Sequence, residues 1–146
     1  MISDTLTRRV LVGILLFGAI SSFGGAVVAI FFGGGGVPAD YLEGSAFTSF
    51  LMPGLVLGVI VGGTQLAGAV TLLLRPRAGI VVTAIAGFGM IIWIFVEIAV
   101  IREYSWLQTA YFAVGIAELV LVLALLGITP SIVRPAKGLR TTTESR

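Results

Sequence analysis

The chain contains no cysteine and no histidine. The first absence excludes disulfides, thiolate nucleophiles and Cys-ligated metal or iron–sulfur centres. The second excludes His-ligated haem, His-based zinc sites and Ser–His–Asp hydrolysis. A pH-responsive group would have to be a carboxylate, because the imidazole that usually serves is missing. Charge is scarce as well, at 11% of 146 residues, against about 25% in ordinary soluble domains. No Gly-rich loop precedes a lysine in the pattern that cradles phosphate. No closely spaced pair of acids is present for a diphosphate substrate, and Ser21 and Ser22 have no basic neighbour to activate them. These gaps predict a protein that is not an enzyme and has neither cofactor nor metal centre.

What the chain has in abundance is apolar length. Hydrophobic residues make up 58% of it, with a mean hydropathy of +1.12. A soluble core of this size cannot cover so much apolar surface, so the lipid bilayer is the expected solvent. Four runs reach the roughly 20 residues that a membrane-crossing helix needs: about 10–32, 51–74, 79–101 and 106–128. None shows the ten-residue alternation of a membrane β-barrel. The first run follows Thr7-Arg8-Arg9-Val10-Leu11-Val12, a faint likeness to a twin-arginine export signal. Its apolar part is much longer than the about 7–15 residues of a signal peptide, so a first membrane helix is expected instead.

The sequence thus predicts an all-α membrane protein, an antiparallel bundle of four transmembrane helices in one domain over residues 1–133. Orientation follows from the cations. Arg8 and Arg9 precede the first run, Arg75 and Arg77 lie between the second and third, and Arg134, Lys137, Arg140 and Arg146 follow the fourth. The opposite side has Arg102 with Asp40, Glu43 and Glu103. Lys and Arg concentrate on the cytoplasmic side of short loops, which puts both termini there, in a bacterial inner membrane. The basic residues sit at the ends of apolar runs, so they anchor the chain in lipid and do not point to nucleic acid.

Local chemistry marks the boundaries. Pro53 suits the opening turn of the second helix. Ser105-Trp106-Leu107-Gln108 reads as a capping box for the fourth, and Pro130 stops it. Tyr41, Tyr104 and Trp106 fit an interfacial aromatic belt. The short links near 75–78 and 102–105 make consecutive helices antiparallel neighbours. The longer link, 33–50, begins with Gly33-Gly34-Gly35-Gly36, turns at Val37-Pro38-Ala39-Asp40, and is expected to form a small outer cap. Residues 134–146 are expected to be a disordered cytoplasmic tail.

Two sets of residues carry the functional expectations. The first is a set of small residues four apart: Gly54, Gly58 and Gly62 in the second run, with Gly79, Thr83 and Gly87 in the third. Gly18, Ser22 and Ala26 form a comparable row in the first run, beside Ser21, Gly25 and Ala29. Such rows let helix backbones approach where lipid provides no hydrophobic drive. They serve packing within the bundle or an interface with another copy or another membrane protein. The second set is polar. Glu118 lies near mid-depth in the fourth run, where a charged acid costs about 2.5–3.5 kcal/mol; it must be protonated, paired or in contact with water. Gln65, with Thr64 beside it, is expected at similar depth and is its natural partner. Glu97 lies about one turn from the outer end of the third run. It shares a face with Trp93 at i, i+4 spacing, within reach of Arg102. Tyr111 precedes Glu118 by two turns. Together Glu97, Tyr111, Trp93, Glu118, Gln65 and Thr64 would line a path for an ion or substrate. No cation falls inside an apolar run, so a cation or neutral molecule is the expected traveller. Asp40 and Glu43 read as solvated loop acids.

The segment Leu42-Glu43-Gly44-Ser45-Ala46-Phe47, followed by Pro53-Gly54-Leu55 and Gly62-Gly63, resembles small bacterial four-helix integral membrane proteins. The resemblance implies the fold and no chemistry. Small multidrug transporters carry an essential acid in their first helix, and 10–32 has none. Four-helix disulfide-bond and quinone reductases need cysteines. The leading expectation is an accessory, scaffold or assembly subunit that forms a homo-oligomer or joins a partner membrane protein through helix packing. The alternative is a small proton- or cation-coupled transporter using Glu118. A third is a site for a lipid or another apolar molecule between helices.

Overall fold

The structure, a computed structural model, describes residues 4–101 and 103–128. It is all-helical, with no strand among the described residues, and four of its helices are long and apolar enough to cross a membrane. They run Asp4–Phe31, Leu51–Leu74, Pro76–Ile101 and Trp106–Leu125. The positions expected from sequence at Arg102, Pro130 and the 134–146 tail, with its Arg134, Lys137, Arg140 and Arg146, lie outside the described residues.

Three ends differ from the sequence reading. The first helix begins at Asp4 rather than near 10, because the polar stretch Asp4–Arg9 continues the helix past the apolar run. Pro76 opens the third helix, three residues ahead of the expected start; its missing N–H costs nothing at a first helical position. A single extended residue, Arg75, therefore separates the second and third helices. The fourth helix stops at Leu125, short of 128. Gly127 adopts φ +71° and donates its N–H to the Ala124 carbonyl, the left-handed residue that ends many helices. The start of this helix matches its expected cap. Leu107 N–H donates to Ser105 Oγ at 3.3 Å, and Ser105 N–H to Gln108 Oε1 at 2.9 Å.

Nothing in the sequence reading anticipated an irregularity inside a span, yet the second helix has one. Leu51–Leu55 is α-helical, Val56–Gly62 forms wider π turns, and Gly63–Leu74 is α-helical again. The widened turns leave carbonyls poorly served by the regular ladder. Thr64 closes the irregularity: its hydroxyl donates to Ile60 O at 2.7 Å and Val61 O at 3.0 Å.

The helices touch in a ring, first to second, second to third, third to fourth and fourth to first. One end gathers Asp4, Arg8, Leu72, Pro76 and Leu125 and is called the terminal end below. The other, the loop end, gathers Val28, Gly34, Phe50, Val100 and Leu107. The core follows the same division. Leu11, Val12, Leu15, Ala69, Leu72, Ala86 and Val122 form one buried cluster toward the terminal end, and Val61, Met90, Trp93 and Ile94 form a smaller one toward the loop end. The 33–50 link covers the loop end. Its four consecutive glycines, Gly33 to Gly36, all have positive φ, between 56° and 96°, a run that only glycine sustains readily. A short 3₁₀ turn, Ala39–Leu42, follows and rests on the third helix.

Candidate functional site

Between the two apolar clusters lies a polar layer. Gln65 and Glu118 are both fully buried, on helices that are not neighbours in the ring. Gln65 Nε2–H donates to Glu118 Oε2 at 3.0 Å across its centre. The sequence expectation that these two residues meet is thus what the coordinates display. The first helix makes room for the amide: a Cβ on Gly18 would lie 2.8 Å from Gln65 Oε1, so a larger residue there would displace the amide from its place. Among the described residues, Gln65 Oε1, Glu118 Oε1 and Thr83 Oγ1 are buried oxygens without a hydrogen-bond partner. Each such group costs about 1–3 kcal/mol. A set of shielded oxygens with spare lone pairs suits a proton, a water molecule or a hard cation.

Toward the loop end the packing opens into two recesses that communicate with the outside. One cavity of about 340 Å³ is walled by Ser21, Ser22, Trp93, Glu97, Gln108 and Tyr111, among others. A second, of about 370 Å³, is mainly apolar and lies under the 33–50 link, against Val28, Leu42, Phe47, Phe50 and Val100. Both lie near the lower end of the range for small-molecule pockets. Neither is lined by Gln65 or Glu118, so the buried pair sits behind the recesses and not in their walls.

The expected site residues therefore fall into two groups. Glu97, Trp93 and Tyr111 line the first cavity, and Gln65 and Glu118 form the deeper layer. Thr64 belongs to neither, since its hydroxyl is turned onto its own helix. Tyr111 also stacks on Phe17, with centroids 6.2 Å apart. Sequence reasoning missed the role of Gln108. Besides capping the fourth helix it approaches Glu97 Oε1 through Nε2 at 3.5 Å, and so joins the helix cap to the cavity acid. The cap motif was readable, but the cross-helix reach was not.

The glycines of the two expected rows find neighbours inside the chain, whereas Gly13, Gly24 and Gly63 have open space where a Cβ would lie. A Cβ on Gly54, Gly58 or Gly62 would lie within 3.0 Å of Ala29, Ala26 or Phe23 of the first helix. One on Gly79 would lie 2.3 Å from Leu72 Cα, and one on Gly87 3.0 Å from Leu119 Cδ2. Thr83 is fully buried. Among the described residues no group of three or more acids is placed to hold a metal ion.

No protein-family model matches the chain, and no curated protein or solved structure matches it either.

Proposed function

We propose that this is a multi-pass protein of a bacterial inner membrane, an antiparallel four-helix bundle with both termini cytoplasmic, that moves a proton or small cation through its interior. Glu118 is the exchanging acid, Gln65 its partner, and Glu97 the acid that receives the traveller at the loop end. The observation that carries this reading is the Gln65–Glu118 hydrogen bond, fully buried, with the Gln65 amide oxygen and the other Glu118 carboxylate oxygen left without a partner among the described residues. A purely structural pair would gain from using those oxygens. Intramembrane acids of this kind commonly mark ion or proton pathways. Arg8 shares the terminal end with the Arg75–Pro76 link, in keeping with a cytoplasmic placement of that end.

The accessory or scaffold role, acting through small-residue faces on a second copy or a partner membrane protein, is the weaker proposal. The faces it relied on at Gly54, Gly58, Gly62, Gly79 and Gly87 are occupied by the chain's own helices.

The test is flux in vesicles containing the purified protein, with an interior pH dye and ²²Na⁺ as separate probes. Wild-type protein should carry one of them down its gradient. Glu118→Gln, nearly isosteric, should abolish that flux while the melting profile stays unchanged. Equal flux in the variant would remove Glu118 from the mechanism, and no flux in either would return the scaffold role to first place.

A further inference from the structure

The two loop-end cavities are not independent. Gly25, Leu57, Trp93, Glu97 and Leu107 line both, so they are two lobes of one chamber meeting at Glu97. One lobe carries polar residues, Ser21, Ser22 and Gln108, among a majority of apolar ones such as Met90 and Ile94. The other is lined by aliphatic and aromatic side chains beneath the cap. Glu97 is the only charged residue in either wall among the described residues. Gln108 approaches one carboxylate oxygen at 3.5 Å, and the Trp93 side chain also hydrogen-bonds the carboxylate, so the acid is held in the wall of the recess by two neutral partners. Trp93 is one helical turn from Glu97, and Tyr111 lines the same lobe.

From this arrangement we infer that the chamber binds an amphipathic organic cation, an alkylammonium whose head sits against Glu97 and the rings of Trp93 and Tyr111 and whose chain fills the apolar lobe. Carboxylate plus aromatic faces is the recognition chemistry of substituted ammonium groups. A bare metal ion fits poorly, since one carboxylate is far short of the roughly six to eight oxygens a hard cation such as calcium takes. An anion would meet Glu97 with repulsion. A fully neutral lipid chain would have no use for the acid at the junction. The inference goes beyond the transport reading, whose traveller is a proton or small cation, by giving the loop-end recess an organic ligand, and rests on that reading only in supposing that the bound molecule is carried onward.

The experiment is calorimetric titration of the full-length protein in lipid discs. Octyltrimethylammonium is the probe, with octanol and octanoate as the neutral and anionic controls. Wild-type protein should bind the ammonium at least ten times more tightly than either control. Glu97→Gln should remove that preference, a loss of tenfold or more, while leaving octanol unaffected. Gly25→Leu, which places a bulky side chain in the shared wall, should weaken all ligands together. Equal binding of the three probes to wild-type protein would show a crevice filled by any apolar chain and would overturn the inference. So would an ammonium preference that survives Glu97→Gln. Glu118→Gln separates this idea from the transport mechanism. Intact ammonium binding with no flux in any form of the protein would sink the transport reading alone. Flux that depends on Glu118 without an ammonium preference would sink the binding site alone.

Discussion

The two halves of the molecule are built from the same four helices with opposite results. At the terminal end Leu11, Leu15, Ala69, Leu72 and Ala86 have no exposed surface at all. At the loop end the helices stand around a chamber. Small residues are present in both, and Gly79 and Gly25 show why the outcomes differ. The space a Cβ would take at Gly79 is filled by the backbone of Leu72, 2.3 Å away. At Gly25 the nearest atom is the tip of the flexible Leu57 side chain, at 3.0 Å. One glycine lets two backbones close on each other, and the other keeps a void open. A small residue grants close approach, but the neighbouring chain decides whether to take it. The polar layer at Gln65 and Glu118 marks where the sealed half gives way to the open one.

The contrast can be broken by substitution, beginning with these two glycines. Gly79→Ala should destabilise the protein by about 3 kcal/mol, the upper end of what overpacking usually costs, because backbone must move. Gly25→Ala should cost well under about 1 kcal/mol, since a leucine tip can yield. Unfolding in mixed micelles with increasing denaturing detergent would measure both, and equal costs would dissolve the distinction. Next comes leucine truncation. Leu15→Ala should cost about 2 kcal/mol, toward the low end of the range for buried leucines, because in lipid mainly the lost packing counts. Leu57→Ala, already beside a cavity, should cost less than half of that on the same scale. The smallest effect concerns the π turns. Amides of Val56–Gly62 should exchange with deuterium faster than those of Gly63–Leu74, reflecting poorer hydrogen bonds. Uniform protection along the second helix would count against the irregular segment as a soft element.

Much of this was legible in the sequence, and the limits are instructive. Apolar run length located the four helices, because the bilayer sets a length that composition alone can meet. The Ser105–Gln108 cap was readable because it is local chemistry. Gln65 and Glu118 could be matched by depth, since 1.5 Å per residue converts position into distance along the axis. What depth does not give is direction around the axis. It could not tell that Thr64, next to Gln65, turns onto its own carbonyls. Nor could it tell that Gly18 would seat the Gln65 amide, or that Gln108 would reach Glu97. The end of the fourth helix was misplaced for a similar reason. Pro130 was read as the stop, while the left-handed Gly127 acts first. The chamber was invisible in the sequence, since a void is defined by what several helices fail to do together.

The π turns of the second helix have one more consequence, best stated in angles. A helix with 3.6 residues per turn overshoots a full circle by about 40° with each four-residue step. Two such steps, from Gly54 to Gly58 to Gly62, would swing the row roughly 80° away from the first helix. Turns closed five residues back use more residues per circle and cancel that drift, so all three glycines keep facing Phe23–Ala29. The segment is a phase correction between two stretches of helix with separate obligations: the glycines must follow the first helix, and Gln65 must point at Glu118. Removing one residue from Val56–Gly62 would let the wider turns close into ordinary α-helix, and the drift of about 40° per four-residue step would return, carrying the glycine row off the first helix.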